Sequence, residues 1–131
     1  MNRALLRVAA GFTALFAIGH SFGATHPKTD GALGAVVLAM QSVSFDLPGS
    51  TRTYWDFYEG YGYTVIVVAF FFAALLWLLS LQPMAQVRQI AFLTAAAQLG
   101  IAVLAFKYFF WAPGVFNGIA AACTAVAATR P

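Results

Sequence analysis

The residues whose types suit chemistry are His20, Asp56 and Glu59, with Arg52 close by in the chain. Three of these four stand in one stretch, Arg52 to Tyr63, RTYWDFYEGYGY, where aromatic side chains and two glycines separate the charges. Arg52 and Asp56 are four apart, Asp56 and Glu59 three apart, and Tyr63 is four beyond Glu59, so on a helix these are neighbours on one face. Two carboxyl groups in a poorly solvated pocket cannot both stay charged without a base beside them, so one would keep its proton and serve as donor or relay. His20 is the candidate partner acid or base. The rings of Tyr58, Tyr61 and Tyr63 could stabilise a cation in a ligand or a transition state. Arg52 and Asn117 complete the candidate ligand-binding set, and Gly60 and Gly62 leave gaps where a ligand or another helix can come close.

The chemistry that fits is proton transfer, such as isomerisation of a lipophilic small molecule, because no nucleophile or cofactor motif accompanies these groups. No cofactor is expected. Metal or haem ligation is not expected either: the only histidines are His20 and His26, and neither HExxH nor CxxC occurs.

Each of these residues also has a structural reading. Arg52 and Asp56 would form a solvated ion pair that anchors a helix end. His20 would hydrogen-bond a loop carbonyl. The Tyr and Trp residues would form an interfacial belt. Gln98 and Asn117 would bond between helices, and Lys107 would snorkel to the headgroups. Glu59 is the hardest to explain structurally, because ionisable groups inside a membrane are functional candidates by default. His26, beside Pro27, reads as exposed, and Cys123, in an Ala-rich run, reads as a packing residue.

The elements that must position these groups follow from composition. The chain is 62% hydrophobic and 8% charged, whereas soluble domains carry about 25% charged residues. So little polar material cannot cover a soluble protein, and the chain reads as one integral membrane domain, residues 1–131. The net charge of +3 comes without any basic run, so nucleic acid is not an expected partner; the lipid bilayer is. A single cysteine excludes an internal disulfide.

The expected fold is all-α, a polytopic four-helix bundle with helices over 4–24, 53–81, 86–109 and 114–129. A short helix over 33–45 would be interfacial or re-entrant, with turns at 25–32 and 46–50. Arg3 and Arg7 before an apolar run also fit a signal peptide, with Ser21 and Gly23 as a cleavage pair, but 4–24 is read as the first membrane helix. Thr53-x-x-Asp56 matches a capping box at the start of the second, and Gln82-Pro83 ends it. The fourth helix is rich in Gly and Ala and is expected to pack tightly on a neighbour, either in this chain or in a second copy as a homo-oligomer. No internal repeat is evident.

Arg3, Arg7, Arg88 and Arg130 fall on one side with no acid among them, while all four acids fall on the other with Lys28, Arg52 and Lys107. The expected orientation therefore puts both termini in the cytoplasm. Helical rise then brings His20, Glu59 and Asn117 to a similar depth under the outer interface, where a bundle could converge them on one pocket.

The stretches GHSFG and GSTRTYWDFYEGYG, with Met40 and Phe45 between them, resemble a group of small bacterial membrane proteins with four helices. That resemblance implies a fold and no activity. More loosely, the architecture is similar to that of DoxX-type proteins and of membrane sterol isomerases, which place acids, a histidine and aromatic residues in a membrane pocket. It also resembles small multidrug transporters, whose membrane glutamate is in the first helix rather than the second. Three functions follow as expectations: an outer-leaflet pocket that binds or isomerises a lipophilic small molecule, a structural or accessory membrane subunit, and a dimeric proton-coupled transporter using Glu59.

Overall fold

The computed structural model describes residues 2–26 and 30–130. In chain order these form α1 (Asn2–Thr25), α2 (Gly31–Ser42), β1 (Ser44–Leu47), β2 (Ser50–Thr53), α3 (Tyr54–Leu79), α4 (Met84–Tyr108) and α5 (Trp111–Thr129). The class is all-α: α1, α3, α4 and α5 are each long and apolar enough to cross a membrane, and α2 is a shorter apolar helix. The 26 residues of α3 reach about 39 Å at the helical rise, longer than a hydrocarbon core of about 30 Å. Of the expected 25–32 loop, Pro27, Lys28 and Thr29 lie outside the described residues.

The chain divides into two compact units, residues 1–18 with 68–131, and residues 19–67. The first holds the core. Leu6, Ala9 and Ala10 of α1, Leu76 and Leu79 of α3, Met84, Val87 and Ala91 of α4, and Ala120, Ala127 and Ala128 of α5 form one buried cluster. The buried residues of α5 are Gly114, Asn117, Ala120, Ala121, Thr124, Ala127 and Ala128, none of them large. Small side chains let backbones approach closely where lipid supplies no hydrophobic drive. The neighbour this face packs on is α4 of the same chain. At the α4–α5 corner a Cβ on Gly114 would lie 2.7 Å from the Phe106 ring, so the approach requires glycine there or a shifted ring. Polar groups in this core bond mostly within their own helices: Thr13 to Ala9 O, Thr94 to Ile90 O and Thr124 to Ala120 O. Gln98 is the exception, donating across to Thr13 Oγ1 at 2.9 Å. Large apolar side chains such as Leu93 and Phe71 point outward, as lipid contact requires.

The second unit differs from expectation at residues 43–53. The short helix ends at Ser42, and the following residues form an antiparallel hairpin pairing Ser44 with Thr53, Phe45 with Arg52, Asp46 with Thr51 and Leu47 with Ser50. Phe45 therefore belongs to a strand, and Asp46 and Leu47 are paired rather than in a turn. Pro48 and Gly49 make the two-residue turn, Pro with its fixed negative φ and Gly49 at φ +82°, the pattern of a type II turn. Val43, Thr51 and Thr53 are β-branched and favour extended backbone, and Tyr54 N–H closes the base on Val43 O at 3.4 Å.

Candidate functional site

The hairpin delivers the chain into α3 through a reciprocal cap. Thr53 N–H donates to Asp56 Oδ2 at 2.7 Å, and Asp56 N–H donates to Thr53 Oγ1 at 3.1 Å. This is the capping box expected from Thr53-x-x-Asp56, and it satisfies a first-turn N–H that the helix cannot. Phe45 fastens the hairpin to the helix, its ring 5.1 Å from Tyr54 and 5.3 Å from Phe57.

Arg52 is on β2, not on the helix, so its expected helical spacing to Asp56 does not apply. Its Nη1–H donates to the Thr51 carbonyl at 3.3 Å, and no ion pair joins it to Asp56. Both residues nonetheless line one open groove of about 430 Å³, with Leu47 from the hairpin and Phe57, Gly60, Tyr61 and Thr64 from α3. The α3 members fall at helical spacing on one face.

Glu59 faces away from that groove. Along α3 the half-buried residues in this unit are Trp55, Glu59, Gly62 and Ile66, alternating steps of four and three. At about 100° per residue this stripe lies roughly opposite the groove. The two carboxyl groups therefore sit on different faces, not in one pair. Asp56 is committed to Thr53, whereas the Glu59 carboxylate has no hydrogen-bond or ion-pair partner among the described residues.

His20 meets the Glu59 stripe at Gly62. Its Nε2–H donates to the Gly62 carbonyl at 3.2 Å, which requires either the Nε2–H tautomer or the imidazolium. One turn further along α1, the Cβ of Ala24 lies 3.4 Å from where a Gly62 Cβ would stand. The expected hydrogen bond to a loop carbonyl is thus a bond to a helix carbonyl, and a Cβ at Gly62 would just touch Ala24.

Of the three tyrosines, only Tyr61 lines the groove, its ring set edgewise to Phe57 at 6.4 Å. Tyr58 stacks on Trp55 at 5.3 Å, and Tyr63 is exposed. Asn117 belongs to the other unit, is buried, and donates to Pro113 O of its own helix at 2.9 Å. Lys107 Nζ lies 5.0 Å from the centroid of the Tyr108 ring. Among the described residues, no three His, Cys, Asp or Glu side chains gather as a metal would need. The groove thus assembles Arg52, Asp56 and Tyr61 from the sequence candidates and adds Leu47, Phe57, Gly60 and Thr64. The α3 members could have been read from i, i+1, i+4, i+5 and i+8 spacing beginning at Asp56; Leu47 could not, because the hairpin brings it there. No family model, no curated protein and no solved structure matches this chain.

Proposed function

We propose that the chain is an integral membrane protein of a bacterial inner membrane, with both termini cytoplasmic, that binds a lipophilic small molecule bearing a polar group in its outer-leaflet groove. One observation carries this reading: the groove of about 430 Å³ sets aromatic walls, Phe57 and Tyr61, beside a base and an acid, Arg52 and Asp56. Pockets for such ligands are largely apolar with a few placed polar groups. The orientation rests on four arginines standing without acids near the chain ends and in the first turns of α4, and the bacterial membrane on the resemblance of the GHSFG and GSTRTYWDFYEGYG stretches. Binding is favoured over isomerisation because the histidine and the two carboxyl groups do not converge: His20 is bonded to Gly62, and Asp56 to Thr53.

Gly60 supplies the test. A Cβ placed there meets nothing within 4 Å, so the backbone accepts a side chain at this position, and Gly60→Leu puts a branched one into the groove. Leucine also favours the helix by somewhat under 1 kcal/mol relative to glycine. Solvent extracts of the purified wild type and of Gly60→Leu are compared by mass spectrometry. A lipophilic compound enriched with the wild type and lost from the variant is the expected result; identical extracts would sink the binding reading.

Glu59 favours a second reading, proton-coupled transport, because it is half-buried and its carboxylate has no partner among the described residues. Glu59→Gln in proteoliposomes is then expected to abolish proton-driven uptake while leaving the Gly60-dependent extract unchanged.

A further inference from the structure

The first unit contains Arg3, Arg7, Arg88, Lys107 and Arg130 and no acidic residue at all. The charges are not spread evenly. Arg3 and Arg130 line one open pocket of about 740 Å³, together with the amides of Asn2 and Gln82 and the apolar Leu6 and Pro83. Among the described residues, neither the Arg3 nor the Arg130 guanidinium has a hydrogen-bond or ion-pair partner. Arg88 adds a third guanidinium beside them, its Nη2–H donating to the Arg130 carbonyl at 3.2 Å. Helix α4 also begins at this pocket: Met84 lines it, Pro83 is the N-cap, and no side chain caps the first turn. The open end of a helix adds partial positive charge to that of the arginines.

We infer that this pocket binds a phosphate-bearing anion, and that its source is the headgroup of an anionic phospholipid. Two guanidiniums on one concavity, without a partner among the described residues, repel each other, and a phosphate between them removes that repulsion through paired N–H···O bonds. Leu6 and Pro83 give an apolar floor that suits an acyl chain better than a free ion in water. With the termini cytoplasmic, the orientation proposed above on which this choice of source rests, the pocket faces the leaflet where anionic headgroups supply such phosphates. This site is separate from the groove and does not depend on what the groove binds.

The full-length protein is reconstituted in nanodiscs of phosphatidylcholine with a minor fraction of phosphatidylglycerol, and retained lipids are counted by native mass spectrometry. The variants are the double substitution Arg3→Gln with Arg130→Gln, and Lys107→Gln, which removes a charge near the other end of α4. Thermal melts check that all three fold. The wild type and Lys107→Gln are expected to retain phosphatidylglycerol over phosphatidylcholine, and the double variant to lose that preference by on the order of tenfold. Inorganic phosphate, titrated by calorimetry, distinguishes the sources. If it binds the wild type and not the double variant while no lipid preference is seen, the phosphate site stands and its ligand is free phosphate. If the double variant matches the wild type with both probes, the inference is overturned.

Discussion

Residues 2–18 with 68–130 and residues 19–67 use the same few residue types to different ends. The first unit has a shared core of Leu, Val and Ala in which Ala9, Ala91, Ala120, Ala127 and Ala128 are completely covered. In the second, Gly34 is the only buried residue among those described. The acids divide just as sharply: Asp30, Asp46, Asp56 and Glu59 all belong to the second unit and none to the first. Close contact between small residues is how a membrane helix pair such as α4 and α5 holds without hydrophobic drive. The hairpin and the start of α3 instead leave glycine, aromatic and charged side chains open. Buried small-residue packing is concentrated in one unit, and the acids and the aromatic groove in the other.

The largest expected effect tests the packing half of that contrast. Ala120→Leu forces a branched side chain into a fully covered site and should cost about 1–3 kcal/mol, read as a lower midpoint in thermal unfolding in detergent with the groove-dependent extract unchanged in surviving protein. An unchanged midpoint would show that the small face of α5 is not what holds it to α4. Gly62→Leu carries the contrast into the second unit. It presses on Ala24 and displaces the His20 bond, at a cost of about 1–2 kcal/mol, and it should raise amide exchange across 19–25. Protection there equal to the wild type would show that the His20–Gly62 contact does not hold α1 against α3.

Gln98→Leu tests the one cross-helix polar bond of the core. Gln98 is fully buried and its Oε1 has no partner among the described residues. Losing a membrane hydrogen bond of about 0.6 kcal/mol while removing an unsatisfied acceptor should leave stability equal or raised by about 1 kcal/mol. A clear loss would mean that the amide, and not the surrounding packing, aligns α1 with α4. The smallest effect is Thr53→Ala, which removes one half of the capping box. It should cost about 1 kcal/mol or less, seen as faster amide exchange confined to the first turn of α3. A global drop in the unfolding midpoint would contradict the separation of the two units.

Much of this was legible in the chain itself. Four apolar runs of membrane length, the stop at Gln82-Pro83 and the Thr53–Asp56 cap depend on local composition and hydrogen bonding, and they appear within a few residues of where the sequence places them. The hairpin was legible in principle, since Pro48-Gly49 stands between two short runs that include Phe45, Thr51 and Thr53. The apolar run before it masked the signal, because short apolar segments suit helix and strand alike. Sequence alone also determined that α3 would carry both carboxyl groups. Only the tertiary structure decided that they part company. Three residues of helical separation permit a pair, but Thr53 claims Asp56 while the half-buried stripe through Gly62 claims Glu59. The same holds for His20, whose type allows acid–base work or a structural bond. Which one it performs depends on the atom placed opposite its Nε2, and that atom is a carbonyl oxygen 42 residues away in the chain.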